Sequence, residues 1–287
     1  MSGGQIPSSD SPVNDSPADG SAPLIIGHRG ASARAPENTL AAFRLALEEG
    51  ADGLELDVRL ARDGVPVVIH DATLDRTALR DGAVETLDSD ELSSLGAGTW
   101  FNRHNPSLAQ EPFTRECIPT LAQVFEHFGG RARVLYVEMK CEDPANGAPL
   151  ARAVVELTRA HDLADRVVVK SFAHALVRES KRLAPEIRAA ALFDRNWSRP
   201  LVSPSTILSE AEACGADEIS LHLSLLRRAT VEAAHGKGLA AVAWTVDTPF
   251  WLRRATALGL RAVITNRPAE MRDALARAAE PAARRHT

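Results

Sequence analysis

The stretch GLELDVRLARDGVPVVIHD, residues 53–71, decides the architecture, because its two apolar runs are joined unlike any others in the chain. GLELDV (53–58) reads as a strand, and PVVIH (66–70) follows it closely, with Arg62-Asp63-Gly64 between them. A parallel crossover needs about a dozen residues, whereas Asp-Gly between apolar runs signals a hairpin. Residues 59–70 are therefore expected to form an antiparallel extension of the second strand. It would return His70 towards the end of the strand it left.

Outward from this hairpin the chain alternates short apolar runs with longer helix-period stretches. The other strand candidates are LIIG (24–27), VLYVEM (134–139), VVVKSF (167–172), AAALF (189–193), EISLHL (218–223), AVAWTV (241–246) and AVIT (262–265). Helices are expected over 38–49, 119–128, 148–161, 173–183, 205–214, 228–237, 249–258 and 269–279. About eight strand–helix units in roughly 260 residues predict an α/β fold, a single (β/α)8 TIM barrel, with the hairpin and a loop region inserted after strand 2. A doubly wound open sheet is the alternative. The insertion, about 71–117, lacks the strand–helix pattern, and a loop this long inside a compact domain is more often functional than idle. The barrel domain is expected over 24–280, between a disordered tail at 1–23 and a short tail at 281–287.

Among 287 residues, 45% are hydrophobic and 25% charged, ordinary for a globular protein long enough to bury a full core. The net charge of −5 argues against a nucleic-acid partner. No apolar run reaches the roughly 18 residues of a membrane span. The Ser-, Pro- and Asp-rich start has no signal-peptide pattern, so a cytoplasmic location is expected. Cys117, Cys141 and Cys214 show no zinc or disulfide spacing and read as idle thiols. The sequence sets no oligomeric state.

The polar residues gather at one end of the strands. His28 and Arg29 follow strand 1, Glu55 and Asp57 end strand 2, and Glu138 and Lys140 end strand 3. Ser171, His222, Trp244 and Asn266 take similar places on later strands, with their roles left open. Glu55 and Asp57, two apart, share one face of a strand. Two carboxylates in a crowded barrel mouth would repel each other, and a hard divalent cation, Mg²⁺ or Ca²⁺ with Mn²⁺ also open, removes that cost. Glu138 is the natural third ligand. Arg29 and Lys140 beside such an ion would suit a phosphate, one as a planar fork and the other as a point charge. His28 and His70 form an acid–base couple of the type that works near neutral pH. Asn38 reads as the cap of the first helix and Glu37 as a brace of the site. His104, His127, His161, His174, His235 and His286 read as structural.

Taken in order, His28-Arg29-Gly30, Pro36-Glu37-Asn38-Thr39, Glu55-x-Asp57-Val58 and Asp63-Gly64-x-Pro66-Val67-Val68-x-His70-Asp71 resemble the glycerophosphodiester phosphodiesterase family. The likeness continues through Leu74-Asp75-Arg76-Thr77, Ala97-Gly98-Thr99-Trp100-Phe101, Ile118-Pro119-Thr120-Leu121, Glu138-Met139-Lys140, Ser171-Phe172, Trp244-Thr245-Val246 and Thr265-Asn266-Arg267-Pro268. It covers about residues 24–270. The resemblance implies a TIM barrel that hydrolyses glycerophosphodiesters, such as those of choline or ethanolamine, to glycerol 3-phosphate and an alcohol. Its acid–base histidines would be His28 and His70, its metal ligands Glu55, Asp57 and Glu138, and its phosphate contacts Arg29 and Lys140. Trp244 would line the glycerol side, and the insertion, with Trp100 and Phe101, would shape the mouth. Asp247 stands where the family often has Asn, and Met139 where a branched aliphatic is usual; both are expected to lie off the chemistry. A lysophospholipase D using the same machinery is the second reading, and a catalytically inactive phosphodiester-binding barrel the third.

Overall fold

The computed structural model describes residues 22–143, 147–195 and 202–279. The expected tails lie outside them except at 22 and 23, and so does His286. Nine strands and ten helices are described: β1 Leu24–His28, α1 Leu40–Glu48, β2 Gly53–Leu60, β3 Pro66–Val68, α2 Ser89–Ser93, α3 Thr99–His104, α4 Leu121–Phe128, β4 Val134–Met139 and α5 Ala148–Ala160. Then follow β5 Val167–Ser171, α6 His174–Leu183, β6 Arg188–Phe193, α7 Pro204–Ala213, β7 Glu218–His222, α8 Arg228–His235, β8 Ala240–Trp244, α9 Pro249–Ala257, β9 Ala262–Thr265 and α10 Pro268–Ala279.

Because β1 pairs in parallel with both β2 and β9, the sheet closes on itself. Eight parallel strands form the barrel, and closure overturns the open-sheet alternative. The remaining strand, β3, runs antiparallel to β2, with Val58 opposite Val68 and Leu60 opposite Pro66. Its hairpin turns at Gly64, where φ is +82°, a left-handed conformation that glycine adopts without strain. β3 stops at Val68, two residues short of the expected end, where the chain turns across β2 and Ile69 N donates to Asp57 O at 3.0 Å.

Period-two alternation sorts the barrel strands. Leu54, Leu56 and Val58 join the main core between strands and helices. Ile26, Tyr136, Val168, Val242 and Ile264 fill the barrel interior. Glu55 and Asp57 share the second face of β2 and are fully buried. Outside, α1 packs Ala42, Phe43 and Ala46 inward, and the Phe43 ring meets Phe128 of α4 edge-on at 6.0 Å.

The insertion has structure of its own, α2, α3 and two 3₁₀ turns. Phe101 does not shape the mouth as expected. It is 2% exposed and stacks edge-to-face on Phe113, in a satellite core with Ala35 and Ala42. Trp100 stays half-buried, with the Arg76 guanidinium 5.6 Å over its ring. All three cysteines are free. No helix among the described residues is long and apolar enough to cross a membrane.

Candidate active site

The site begins where β1 ends. His28 is the last residue of β1, and the chain then turns through Arg29 (φ +54°) and Gly30 (φ +86°). A Cβ at Gly30 would sit 2.5 Å from the Ala42 backbone, so close packing of α1 requires the glycine. Arg29 holds its unusual conformation because its N–H donates to Glu55 Oε2 at 3.1 Å and its carbonyl accepts from Asn38 N at 3.0 Å. Asn38 is not the cap of α1. Thr39 takes that place, its hydroxyl accepting from Ala42 N, while Asn38 sits at φ +57° and turns inward. There Asn38 Nδ2 donates to Asp57 Oδ2 at 2.9 Å, and Asn38 Oδ1 accepts from Asp57 N at 3.3 Å.

Three carboxylates meet inside the mouth. Asp57 lies opposite Glu138 across the β2–β4 ladder, and one oxygen from each of Glu55, Asp57 and Glu138 falls within 4.8 Å of the others. All three residues are buried. Arg29 Nε lies 2.9 Å from Asp57 Oδ2, and Lys140 Nζ contacts Glu138 Oε1 and lies 3.2 Å from Asp57 Oδ1. From β5, Lys170 Nζ reaches Glu55 Oε1 at 2.7 Å and Glu138 Oε2 at 3.5 Å. Burial works to raise the carboxyl pKa of Glu55, yet the Lys170 ammonium, the largest opposing charge, leads the groups that outweigh it and leave that pKa lowered. At Asp57 burial is likewise outweighed, by Arg29 and then Lys140, which hold it far below the usual carboxylate range. The Arg29 and Lys140 pKa values are raised, since the facing carboxylates overcome burial. Glu55, Asp57, Arg29 and Lys140 are therefore ionised at neutral pH.

These residues suit a divalent cation. Despite their ammonium neighbours, Glu55 Oε1, Asp57 Oδ1 and Glu138 Oε1 are buried without a hydrogen bond of acceptable geometry. Such orphaned oxygens are rare in folded proteins. An all-oxygen, triply anionic set at this spacing matches what a hard cation binds.

His70 comes from the hairpin, as expected: Arg59 Nε of β2 donates to its carbonyl at 2.7 Å. Its Nδ1 lies 2.6 Å from Asp71 Oδ1, and Asp71 Oδ2 accepts from Arg76 Nε at 2.6 Å. Arg76 also clamps Glu37 through both terminal nitrogens, at 2.7 and 2.9 Å, and Glu37 accepts from Arg29 NH1 at 2.9 Å. One arginine of the insertion thus ties His70 and Arg29 into a single chain. Glu37 lies beside the site as its sequence position suggests, whereas the only signal for Arg76 is its place in Leu74-Asp75-Arg76-Thr77. The signal for Lys170 is that it is the only charge in VVVKSF, at the same parity as interior Val168.

Other expected residues divide. Trp244 stands at the mouth, packed against Phe172 at 5.7 Å and His222 at 5.0 Å. His222 itself bonds Ser224 Oγ at 2.8 Å on the exposed rim. Ser171 turns away from the carboxylates, donating to Met139 O at 2.8 Å. Asn266 Oδ1 meets His28 Nδ1 at 2.7 Å, and Asp247, expected to lie off the chemistry, holds Asn266 in turn. Two recesses open beside the cluster. One of about 270 Å³ is lined by His28, Arg29, Ser32 and Asn266, and one of about 560 Å³ by Lys140, Arg59 and Glu142.

A parallel barrel whose mouth sets buried carboxylates, cations and two imidazoles around open space defines, as a class, an enzyme that cleaves phosphoric diesters. The chain belongs to the glycerophosphoryl diester phosphodiesterase family, whose sequence profile matches residues 28–270. A glycerophosphodiester phosphodiesterase of Caldanaerobacter subterraneus subsp. tengcongensis is 36% identical over 251 residues, covering 85% of this chain and 94% of that one. The fold is similar to an Oleispira antarctica phosphodiesterase solved with the product sn-glycerol-3-phosphate, with TM-score 0.74, 29% identity, and 89% and 97% of the two chains covered. It is also similar to the glycerophosphodiester phosphodiesterase of Agrobacterium tumefaciens, with TM-score 0.70, 33% identity, and 87% and 98% coverage.

Proposed function

We propose that this enzyme hydrolyses glycerophosphodiesters of small alcohols, such as choline or ethanolamine, to sn-glycerol 3-phosphate and the free alcohol, with Glu55, Asp57 and Glu138 holding one divalent cation, Mg²⁺ or Ca²⁺. The observation that carries this reading is the trio of buried carboxylates with oxygens within 4.8 Å of one another, held among two imidazoles and two phosphate-type cations. The product bound by the Oleispira relative supports the glycerophosphate half. A divalent cation in this set would polarise a phosphoryl oxygen and offset the charge that builds there. Arg29 presents a planar fork and Lys140 a point charge to the same phosphate, and positioning with electrostatics dominates phosphoryl transfer. Asn38 keeps Asp57 from swinging out. His28 and His70, each tied down through Nδ1, have Nε2 for proton transfer: one takes a proton from the attacking water as its oxygen bonds to phosphorus, and the other gives one to the departing alkoxide as its P–O bond breaks. Because Phe101 and Phe113 pack inward, neither ring of the insertion is offered to an acyl chain, and lysophospholipids should be poor substrates.

The test is release of glycerol 3-phosphate from glycerophosphocholine, with and without chelator, by wild type, His28→Ala and Glu55→Ala. Turnover that chelator stops and metal restores, with both variants inactive, is expected. Chelator-resistant turnover would remove the metal role, and full activity in His28→Ala would remove the acid–base assignment.

A further inference from the structure

We infer that Asp247 is a positioning residue for this reaction: by fixing which end of the Asn266 amide meets His28, it keeps the imidazole proton on Nδ1 and the lone pair on Nε2. The inference rests on the acid–base role proposed above for His28. Asp247 lies in the loop after β8, and both oxygens of its carboxylate accept from donors at the end of β9. Oδ1 accepts from Asn266 N at 2.8 Å and from Thr265 Oγ1 at 2.9 Å, and Oδ2 accepts from Asn266 Nδ2 at 2.7 Å.

An ionised carboxylate only accepts. The amide NH₂ of Asn266 must therefore face Asp247, and its Oδ1 is turned the other way, to His28 Nδ1 at 2.7 Å and Ser32 Oγ at 2.8 Å. A carbonyl oxygen also only accepts, so Nδ1 of His28 carries the hydrogen. A neutral imidazole has one donor and one acceptor nitrogen. Its lone pair therefore sits on Nε2, which lies 3.9 Å from Glu55 Oε2 at the carboxylate cluster. Ser32 does not impose this choice, because a hydroxyl can donate or accept and would tolerate either amide orientation. Among the side-chain contacts that Asn266 makes here, only Asp247 fixes which end of its amide faces His28. His70 reaches the same end directly, since its Nδ1 partner is the Asp71 carboxylate itself.

Asp247→Asn tests this with little change of shape. The amide introduced at position 247 would keep an oxygen for Asn266 N and Thr265 Oγ1 but set an NH₂ against Asn266 Nδ2. Two donors cannot pair, so the Asn266 amide should turn over, present its nitrogen to His28 and drive the proton to Nε2. In the exchange D247N/N266D, the amide at position 247 would donate to the carboxylate at position 266, whose second oxygen would again take the Nδ1 hydrogen. The measurement is the His28 tautomer in the ¹⁵N-histidine-labelled full chain by long-range ¹H–¹⁵N correlation, well above the ordinary imidazole pKa. His28→Gln assigns the signal, and kcat and KM on glycerophosphocholine are followed in parallel.

Wild type should show Nδ1–H. Asp247→Asn should show Nε2–H, with kcat down about 10²-fold, in the range of general acid–base catalysis, and KM nearly unchanged, because Asp247 touches no substrate. The exchanged pair should return the proton to Nδ1 and most of kcat with it. Nε2–H in wild type, Nδ1–H in Asp247→Asn, or an exchanged pair that leaves the proton on Nε2 would each overturn the inference. If Asp247→Asn does not fold, the exchanged pair decides alone by the same reading. Tautomers that move as stated in an enzyme that turns over no phosphodiester would uphold the positioning relation and sink the proposed function.

Discussion

The barrel interior buries charge at two levels, and the two are finished differently. At the floor, where the strands begin, Glu218 of β7 is fully buried and satisfied: Oε2 accepts from the Tyr136 hydroxyl at 2.9 Å, and Oε1 faces Arg188 at 2.9 Å and Arg261 at 3.2 Å. Burial first, and then the Glu218 charge, push the Tyr136 hydroxyl well above its ordinary pKa, so it stays a donor. At the mouth, three carboxylates face Arg29, Lys140 and Lys170, and one oxygen of each lacks a hydrogen bond. Desolvation opposes both clusters. Both oxygens of Glu218 have partners within the fold, whereas the mouth carboxylates are arranged as the proposed cation would require.

Neutralising one carboxylate at each level should break the molecule in opposite ways. Glu138→Gln leaves Lys140 with Asp57 and Lys170 with Glu55, so its thermal midpoint should stay close to wild type. Its kcat/KM should fall at least about 10³-fold, as expected if several kcal/mol of transition-state stabilisation runs through this set. Glu218→Gln takes the shared carboxylate charge from Arg188 and Arg261 and should cost about 3–5 kcal/mol in urea unfolding, while each folded molecule keeps its activity. A Glu218→Gln enzyme that is stable but inactive would erase the distinction between the levels.

Lys170 sharpens the contrast from within the mouth. Lys170→Met leaves Glu55 without its 2.7 Å partner and should lower stability by about 3 kcal/mol in chelator. Added divalent cation should recover much of that, because a ligand that binds only the folded state stabilises it. The gap in melting temperature between chelated and metal-loaded protein should therefore be wider than in wild type. An unchanged gap would show that Lys170 does not share the charge balance of the proposed metal ligands.

A smaller effect is expected at the rim, where the site depends on side chains rather than strands. Arg76→Ala releases Asp71 from one side and Glu37 from the other, loosening His70 and Arg29 together. A loss of about 10- to 100-fold in kcat/KM is expected, the usual scale for groups that orient first-contact residues. Arg76→Lys should recover little, since one ammonium cannot reproduce a fork that bonds two carboxylates. Near-complete recovery by Lys would reduce the role of Arg76 to its charge.

How much of this was legible in the sequence follows from the range of each signal. The hairpin was readable because Asp63-Gly64 makes a local choice between turn and crossover, and the carboxylate pair because Leu54, Leu56 and Val58 fix the parity of β2. Asn38 was misread since Asn and Thr are both good caps; the left-handed turn that sends Asn38 inward depends on packing against β2. Lys170 was passed over because a single lysine in a strand looks like its charged end until the neighbouring strands supply carboxylates at the same height. Asp247 was set aside because it meets His28 only through Asn266, 19 residues further on. Contacts of that kind leave no periodicity to read.

The smallest expected effect lies at Asp71, and it separates rim from floor by pH. Burial works to raise the Asp71 pKa, but hydrogen bonds from Arg76 and His70 outweigh it and bring it down from 3.8 to about 2. A carboxylate whose folded pKa is depressed adds stability that is complete above its unfolded pKa and is lost as pH falls through the folded one. The Asp71 contribution should thus be constant above about pH 4 and fade towards about 2. Solvent screening at this partly exposed pair keeps it small. Urea midpoints of wild type and Asp71→Asn should differ by a fixed amount at pH 5–7, by roughly the scale of an exposed ion pair, and converge as the acid limit is approached. A difference that instead grew on acidification would mean that Asp71 is protonated in the fold, and the link from Arg76 to His70 would have to be carried by another group.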